Sequence, residues 1–308
     1  MNWMVIVNAM AGGGKAGRMW KTAEAVLTST GIRFTPRFTE APAQTRLLAS
    51  NASDLGFDGV AVYGGDGTVS DAAAAISSLE NKPVLASLPA GSGNDWIKSL
   101  GFENATVEDC AAAIAEGTTK QVDTGLCVWP GNRKFFLNSA GVGFDALVLK
   151  RAVNTRRLLP LGGLNYLLTL AVSAVIPPSW KATIFCDEKP FYKGDYLTIT
   201  TGIGRYSGGG MQLSPSAIPD DGLFDSVVIS PMSFFAIAKH MSKLYDGTIL
   251  STEFTTAARG SVIRIEPFTA GSALIELDGE IVDPGEKAEF IELVSKPSDL
   301  TVVIPPPE

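Results

Sequence analysis

The stretch VAVYGGDGTVSDAAAAI, residues 60–76, contains the pattern that decides the fold. An apolar, strand-like run ends in a glycine-rich turn, GGDGT at 64–68, and an alanine-rich helical pattern follows directly. Glycines let phosphate groups approach the backbone closely, and the N-terminus of the helix that follows attracts anions. The turn is therefore a candidate phosphate site, although it also contains a carboxylate, Asp66.

The charge of Asp66 restricts what this turn can bind. A bare phosphate would be repelled by the carboxylate, whereas a divalent cation, or a water on one, can lie between Asp66 and the phosphates. We expect Thr68 to cap the following helix. The alternative is a glycine turn with a solvated aspartate. The carboxylate also argues against a dinucleotide site, whose pyrophosphate would meet the same repulsion.

The strand–turn–helix unit at 60–76 is one of several in the first 125 residues. Strands are predicted at 3–8, 32–40, 59–65 and 82–90, and helices at 18–30, 43–55, 68–80, 94–100 and 106–116. Apolar strands that alternate with helices predict a parallel sheet with helices on both faces.

The pattern changes after about residue 125. Apart from helices predicted near 145–176 and 232–246, the remaining residues are typical of strands, for example 133–141, 195–204 and 273–282. This pattern predicts an antiparallel, sandwich-like domain. The fold class is thus an α/β nucleotide-binding domain followed by an all-β-rich, sandwich-like second domain. The predicted boundaries are 1–125 plus 295–308 for the first domain and 126–294 for the second.

Two further glycine-rich turns follow strands, NAMAGGGKAGR at 8–18 and LPAGSGNDW at 88–96. The carboxyl ends of parallel strands meet at one edge of a sheet, so we expect the three turns to lie together. The first turn satisfies G-x-G-x-x-G, which leaves a dinucleotide-binding site open. It is not a Walker A loop, because Ala9 stands at the first glycine position and Ala16 follows Lys15. Asp95, in the other turn, is a ligand candidate or only a helix-start charge.

Composition excludes several classes of function. The 308 residues have a net charge of −7, which argues against nucleic acid as a partner. His240 is the only histidine, so histidine-rich zinc sites are excluded and acid–base chemistry must come from carboxylates. We expect the three cysteines, Cys110, Cys127 and Cys186, to be buried, reduced thiols of an intracellular protein.

Residues 158–180 contain no charged side chain over a length that could span a bilayer. Pro160, Gly162 and Gly163 interrupt the first third of this run, so a buried core helix or a helix that touches the bilayer is favoured over a membrane span. The chain starts directly with strand-like residues, and no signal peptide is expected.

The three turns, in this order, resemble those of the diacylglycerol kinase catalytic-domain family, which includes bacterial lipid kinases and sphingosine kinases. PAGSGND at 89–95 is similar to the family's P-x-G-T-x-N-D, with Ser92 in the threonine position. GGDGT is shared with the related NAD kinases and 6-phosphofructokinases. Counterparts also exist for NSAGVGFDA at 138–146, SPSAIPDDGLFD at 214–225 and DGE at 278–280. The resemblance covers nearly the whole chain.

The resemblance implies an ATP-dependent lipid kinase that uses Mg²⁺, with Asp66 holding the metal of the nucleotide and with the active site in the cleft between the domains. The first turn departs from the family's N-P-x-S-G, since Ala9 and Ala11 replace proline and serine, so its phosphate contacts are expected to come from the backbone. The implied nucleotide-binding residues are Asn8, Gly12, Gly14, Lys15, Gly64, Gly65, Gly67, Thr68, Gly91, Ser92, Asn94 and Asp95.

By the same resemblance, Asp278 is the general base that accepts the proton of the lipid hydroxyl, together with Glu280. Two residues apart in an extended run, both carboxylates would point to one face. Asp221 resembles a ligand of a structural Mg²⁺, or lies in a plain Asp-Gly turn. Asp145 resembles a position that contacts the lipid head group. A basic cluster that includes Arg151, Arg156 and Arg157 could bind phosphates or anionic lipid, or could form a solvated helix face.

Other functions stay open at this point. A soluble kinase of the NAD kinase or phosphofructokinase type is the enzyme alternative, a nicotinamide-dependent oxidoreductase is a weaker one, and a non-catalytic lipid-binding regulatory protein is the third. We expect a cytoplasmic protein that associates reversibly and peripherally with a membrane containing its lipid substrate. The sequence names neither the lipid nor the oligomeric state, and it leaves a homodimer open.

Overall fold

The computed structural model describes residues 1–156, 173, 177–268, 274–285 and 288–306. The chain forms two compact units. Unit 1 comprises Met1–Thr124, Pro219–Asp221 and Pro297–Glu308, and unit 2 comprises Gly125–Ile218 and Gly222–Lys296.

Unit 1 contains a parallel sheet, as predicted. Its strands are β1 (Asn2–Asn8), β2 (Arg33–Thr39), β3 (Gly59–Gly64), β4 (Val84–Pro89) and the C-terminal part of β16 (Ile291–Val303), in the order β2-β1-β3-β4-β16. Strand β3 is buried along its whole length and β1 along nearly all of it, which explains their almost uninterrupted apolar sequences.

The helices of unit 1 follow the strands in alternation. They are α1 (Ala11–Ser29), α2 (Pro42–Ser50), α3 (Asp66–Ser77), α4 (Asp95–Ser99) and α5 (Val107–Glu116). Helix α5 begins with a capping box between Thr106 and Asp109. Two predicted helix starts differ from the structure. Regular helical backbone in α1 begins directly after the left-handed residues Gly12, Gly13 and Gly14, before the predicted start at residue 18, and α3 begins at Asp66 rather than at residue 68.

The strand order creates a switch point between β1 and β3. From β1 the chain continues to β2 on one side of the sheet, and from β3 it continues to β4 on the other side. The two connections diverge, which leaves a crevice at the carboxyl ends of β1 and β3, where open α/β sheets bind ligands. The first two glycine turns directly follow these strand ends.

Asp299 holds the C-terminal strand of unit 1 in place. Its buried carboxylate accepts hydrogen bonds from the Ser77 hydroxyl and from Thr124 Oγ1, at 2.6 Å. Lys82 Nζ lies 2.7 Å from the same carboxylate. The bonds connect β16 to the end of α3, to the segment before β4 and to β5 (Thr119–Trp129).

Unit 2 is built from antiparallel strands, as predicted. Six strands form one sheet in the order β12-β11-β10-β7-β14-β15. They are β7 (Ser139–Gly143), β10 (Thr198–Gly202), β11 (Phe224–Ile229), β12 (Thr255–Gly260), β14 (Ile275–Leu277) and β15 (Glu280–Val282). Strands β8 (Trp180–Cys186), β9 (Lys189–Tyr196), β13 (Val262–Glu266) and the first part of β16 form a second antiparallel layer, and β6 (Asn132–Phe136) pairs with β5.

Buried side chains from both layers of unit 2 form one hydrophobic core. The rings of Phe136, on β6, and Phe224, on β11, stack with centroids 5.6 Å apart. Ile199 and Ile265, from the two different sheets, belong to the same buried cluster. This shared core between two layers is the sandwich-like arrangement that the strand pattern predicted.

The predicted strand at 273–282 was wrong, because it is a hairpin of β14 and β15. Asp278 and Gly279 form its two-residue loop with φ values of 48° and 83°. A loop with two positive φ values favours Asp-Gly, so this dipeptide marks a turn. At the C-terminal end of the chain, β16 is a single strand that runs from Ile291 to Val303.

Unit 2 includes the helices α6 (Phe144–Arg156) and α7 (Phe234–Tyr245). The predicted helix near 145–176 corresponds to α6 in its first part, and most of its remainder lies outside the described residues, as does most of the apolar run at 158–180. Within the described ranges, no helix is both long enough and apolar enough to cross a bilayer.

The three cysteines are free thiols. Cys110 and Cys127 are buried as expected, and burial raises the pKa of each thiol to about 12. The expectation of a buried thiol was wrong for Cys186, which is half-buried because it lies at the end of β8.

The Asp299 contacts predict a large loss of stability when its carboxylate is removed. In Asp299→Ala, the Ser77 and Thr124 hydroxyls lose a buried carboxylate acceptor, and the Lys82 ammonium group loses its ion pair and keeps only the backbone carbonyl of residue 299. We expect the free energy of unfolding to fall by about 3 kcal/mol. Urea denaturation of the full chain measures this change.

Asp71→Ala is the matched control. It removes an ion pair with Arg46, whose side chain is 53% exposed, and should cost less than about 1 kcal/mol. Equal losses in the two variants would contradict the structural role assigned to Asp299.

Candidate functional site

The three glycine turns of unit 1 contact one another at the carboxyl edge of the sheet. Asn8 Nδ2, at the end of β1, donates to Thr68 Oγ1 at 2.8 Å. A Cβ atom placed on Gly12 would lie 2.9 Å from the carbonyl oxygen of Ala90. A Cβ atom placed on Gly91 would lie 2.5 Å from the Cα of Gly65. These approaches bring the predicted residues of the three turns together. A side chain at Gly12 or at Gly91 would push the turns apart.

The backbone of the first turn is left-handed at three successive residues. Gly12, Gly13 and Gly14 have φ values of 58°, 67° and 82°, a region in which residues with a Cβ atom are strained. The Gly17 N–H donates to the Ala9 carbonyl at 3.0 Å, which closes the turn onto the end of β1. The turn therefore carries no side chain at three successive positions, and phosphate contacts from its backbone stay a prediction.

Two cations follow this turn on α1. Lys15 is exposed, as a phosphate-binding lysine must be. Arg18 Nη1 lies 3.4 Å from the position that a Cβ atom of Gly14 would occupy, so its guanidinium group also lies beside the turn. Sequence reasoning missed Arg18, although its spacing of three residues from Lys15 on a helix predicts neighbouring side chains.

Asp66 is the first residue of α3, and its N-cap is Gly65. The prediction that Thr68 caps this helix was wrong, because the helix begins two residues earlier and Thr68 already lies within its first turn. Thr68 Oγ1 instead accepts the hydrogen bond from Asn8. Asp66 Oδ1 accepts from the Trp96 N–H at 3.1 Å, which orients the carboxylate toward the third turn.

The carboxylates of Asp66 and Asp95 face the same small space beside Gly93. A Cβ atom on Gly93 would lie 3.1 Å from Asp66 Oδ2 and 3.2 Å from Asp95 Oδ2. Burial, and secondarily the negative charge of Asp95, raises the pKa of Asp66. Asp95 also forms an ion pair with Lys98 at 2.9 Å. Two carboxylate oxygens on the same side of Gly93 are donors of the type that divalent cations such as Mg²⁺ bind.

The third turn is held by Asn94, which adopts the left-handed conformation with φ 49°. Its Oδ1 accepts from the Gly91 N–H at 3.0 Å, and its Nδ2 donates to the Gly91 carbonyl at 3.3 Å. Asparagine tolerates this backbone conformation better than most residues. Ser92 is exposed at the tip of the turn, and α4 begins at Asp95.

Asp278, in unit 2, anchors its hairpin to the start of β7. Its Oδ2 accepts from the Leu137 N–H at 2.6 Å, and its Oδ1 accepts from the N–H groups of Asn138 and Ser139 at 2.8 and 3.1 Å. The prediction that Asp278 and Glu280 share one face of an extended run was wrong, because the turn separates them. Glu280 is exposed and pairs with Lys134 at 2.7 Å.

A pair of carboxyl groups in unit 2 was only half predicted. Asp145, in the first turn of α6, accepts from Thr198 Oγ1 at 2.7 Å and lies above Gly141. Glu276, on β14, approaches the same face of Gly141, where a Cβ atom would lie 3.0 Å from its Oε2. Burial, followed by the charge of Asp145, raises the pKa of Glu276 to about 8. Burial also raises the pKa of Asp145.

Sequence reasoning missed Glu276, because a carboxylate that alternates with apolar residues such as Ile275 and Leu277 is typical of the solvent face of a strand. It instead accepts a hydrogen bond from the Gly279 N–H and thereby supports the turn that holds Asp278. Gly141, on β7, pairs with Glu276 on β14. A glycine within a strand often marks a close approach of another group, so Gly141 is the sequence feature that could have indicated this site.

The basic candidates are only partly described. Arg151 Nη1 donates to Ser173 Oγ at 2.9 Å, so this guanidinium group already has a partner. The Arg156 side chain and all of Arg157 lie outside the described residues.

Asp221 lies in unit 1, in the turn before β11. Its neighbour Asp220 pairs with Lys120 at 2.7 Å. The part of the chain that the structure describes contains no group of three histidine, cysteine, aspartate or glutamate side chains that could hold a metal ion. The structural Mg²⁺ at Asp221 stays a prediction.

Comparison with known families divides the chain in two. Residues 2–127 match the family model described as the diacylglycerol kinase catalytic domain. Residues 138–304 match the model described as the YegS C-terminal NAD kinase beta sandwich-like domain.

Named relatives and solved structures cover most of the chain. A "Probable lipid kinase YegS-like" of Stenotrophomonas maltophilia is 29% identical, over 91% of this chain and 90% of its own length. A protein of the same name from Pseudomonas aeruginosa is 30% identical, over 88% and 85%. The crystal structure of a diacylglycerol kinase from Bacillus anthracis superposes with a TM-score of 0.73 over 99% of this chain and 97% of its own, at 21% identity. At that identity the likeness shows the fold.

The raised pKa of Glu276 predicts a specific dependence of stability on pH. In the folded chain Glu276 keeps its proton up to about pH 8, whereas in the unfolded chain it loses the proton near the ordinary value of 4.5. The folded state binds more protons within this window, so the contribution of Glu276 to stability decreases as pH rises through it. In Glu276→Gln the melting temperature should fall less between pH 5 and pH 8 than in the wild type, as thermal unfolding monitored by circular dichroism would show.

Glu280→Gln is the control on the same hairpin. It removes an exposed carboxylate and should leave the wild-type pH profile in place. Parallel profiles for the wild type and Glu276→Gln would contradict the proton assigned to Glu276.

Proposed function

The chain belongs to the family that combines a diacylglycerol kinase catalytic domain with a YegS C-terminal NAD kinase beta sandwich-like domain, and from this membership we propose that it is a lipid kinase. In this proposal it transfers the γ-phosphoryl group of ATP, with Mg²⁺, to a hydroxyl group of a diacylglycerol-like lipid. It acts on its substrate at a membrane surface to which it binds reversibly.

The mutual contact of the three glycine turns is the observation that supports this function most strongly. Phosphoryl transfer depends mainly on positioning and on positive charge at the transferred group, and little covalent chemistry is required from the protein. The turns offer backbone at a switch point of the sheet, and Lys15 and Arg18 supply cations beside it. This arrangement suits the phosphates of a nucleotide better than a neutral ligand.

Asp66 and Asp95 are the residues that would hold Mg²⁺. Both carboxylates face the space beside Gly93, and the Trp96 N–H holds Asp66 in that orientation. The raised pKa of Asp66 indicates that its negative charge is poorly compensated in the protein alone, which a cation would relieve. When bound, Mg²⁺ would neutralise charge on the phosphates.

We assign the acceptance of the lipid hydroxyl proton to Asp278, on the family resemblance. Its three hydrogen bonds from backbone N–H groups hold the carboxylate in one orientation, as a positioned base requires. The same bonds also give Asp278 a structural role at the start of β7. A test of Asp278 must therefore separate a loss of proton transfer from a loss of folding. Glu280 is exposed and paired with Lys134, and we assign no proton transfer to it.

A nucleotide or sugar kinase is the second candidate, because the C-terminal family model is named for its likeness to NAD kinase. The relatives named as probable lipid kinases match over both units and favour the lipid substrate. The two candidates differ in the acceptor, and a direct phosphotransfer assay distinguishes them.

Phosphotransfer from radiolabelled ATP tests the proposed function. The full chain, with Mg²⁺ and mixed micelles that each contain one lipid, should label at least one lipid with a free hydroxyl group, and chromatography identifies the product. NAD and fructose 6-phosphate are the soluble acceptors for comparison. The lipid kinase proposal would be rejected if only a soluble acceptor is labelled, or if no acceptor is labelled.

Two variants assign roles in the same assay. Asp66→Asn should abolish labelling while the melting temperature stays near that of the wild type. Asp278→Asn should lower kcat by about 10²–10⁴-fold if Asp278 is the base. A loss of folding in Asp278→Asn, with normal kcat in the remaining folded fraction, would reject the base and leave the structural role.

A further inference from the structure

Helix α7 presents aromatic side chains to solvent. None of its residues is fully buried. Phe235 is 81% exposed, Tyr245 is 44% exposed and Phe234 is 37% exposed, and the two phenylalanine rings contact each other edge to face. Exposed aromatic rings clustered on one element mark surfaces that bind a partner or a membrane.

The helix is attached to unit 2 by a different face. Ile237 packs against a buried cluster, and so does Met232 from the preceding segment. That cluster consists of Phe144, Val148, Leu197, Val227 and Ile229. Because this contact and the Ser233 cap hold α7 in place, the exposed rings are not needed for the hydrophobic core.

The outward face follows the helical period. Phe235, Ala238, Ser242 and Tyr245 are spaced three or four residues apart and are all exposed, with Phe234 and Lys239 at the sides of this stripe. We call this set of six residues the α7 face. Ala238 and Ser242, between Phe235 and Tyr245, are small. The stripe between the two aromatic residues therefore has no bulky polar side chain that would prevent contact with an apolar layer.

The charge of this segment differs from that of the whole chain. Residues 226–245 contain no aspartate or glutamate and include Lys239 and Lys243, whereas the chain has a net charge of −7. Exposed aromatic side chains beside lysines are characteristic of helices that lie in the interface of an anionic membrane. The charge is complementary to an anionic bilayer.

We propose that the α7 face is the surface by which this protein docks on an anionic lipid bilayer, with Phe234 and Phe235 inserted among the headgroups and Lys239 on anionic phosphates. This inference rests on the proposed function, because a lipid kinase must reach a substrate that lies in a membrane. A second copy of the chain fits this face less well, since pairing would place like-charged lysines opposite each other. A single short helix of this kind gives weak and reversible binding.

Vesicle flotation with the full chain tests the docking surface. The probes are vesicles of phosphatidylcholine alone and vesicles of equal parts phosphatidylcholine and phosphatidylglycerol. Wild-type protein should float with the anionic vesicles at low salt. Phe235→Gln should weaken this binding about tenfold, because the ring no longer leaves water. Lys239→Glu should weaken it strongly at low salt and little at high salt.

Matched controls lie in unit 1. Leu47→Gln removes an apolar side chain that is 61% exposed on α2, and Lys21→Glu reverses an exposed lysine on α1. Both should bind vesicles like the wild type. Equal binding of Phe235→Gln and the wild type would overturn the proposal, as would binding that depends on Arg156 and Arg157 instead. A dimer that Phe235→Gln dissociates, with vesicle binding intact, would show a self-association surface and also overturn it.

Phosphorylation of a short-chain, water-soluble diacylglycerol separates this proposal from the proposed kinase. Phe235→Gln should phosphorylate the soluble lipid like the wild type and lose activity only on vesicles. Vesicle binding that depends on Phe235 in a protein without kinase activity would support the docking surface and reject the kinase. If Phe235→Gln has the same kinase activity on vesicles as the wild type, the docking surface is rejected and the proposed kinase function is retained.

Discussion

The close approach of Gly65 and Gly91 is the constraint on which the rest of the site in unit 1 depends. No side chain fits between the two backbones, and this allows the turns after β3 and β4 to lie against each other. Their contact brings Asp66, at the start of α3, to the same side of Gly93 as Asp95, at the start of α4. The glycines thus permit the backbone packing that places the carboxylates of Asp66 and Asp95 next to each other. Each carboxylate lies at a helix N-terminus, which partly compensates its charge.

A second glycine has a similar effect in unit 2. Gly141 leaves room for the carboxyl groups of Asp145 and Glu276. Burial raises the pKa of both groups, and the charge of Asp145 raises the pKa of Glu276 further. Such a pair destabilises the folded chain at high pH, and proteins retain groups of this kind mainly where they serve function. Glu276 also supports the turn that holds Asp278. Glu276 therefore lies between Asp145 and the turn that contains Asp278.

Most of the fold of unit 1 could be predicted, because β1, β3 and β4 end in glycine turns and a helical pattern follows each of the first four strands. The failures have local physical causes. The start of α3 was misplaced because Thr68 is a good capping residue, although Gly65 takes the N-cap position. The Asp278-Gly279 turn was taken for strand because apolar residues flank it on both sides. Glu276 was missed because its neighbour Asp145 is distant in sequence, and no periodicity shows such a contact. Arg18 was missed although its helical spacing from Lys15 places the two side chains near each other.

The affinity of Gly91→Ala for ATP with Mg²⁺ is the most direct test of the central claim, that contact between the turns builds a nucleotide site. The added methyl group would lie 2.5 Å from Gly65 Cα and 2.8 Å from Asn94 Oδ1, so the turns must separate. Isothermal titration calorimetry should show binding to the wild type and a loss of at least about tenfold in the variant, which corresponds to 1.4 kcal/mol, while circular dichroism shows a folded chain. Unchanged affinity in a folded Gly91→Ala protein would contradict the claim.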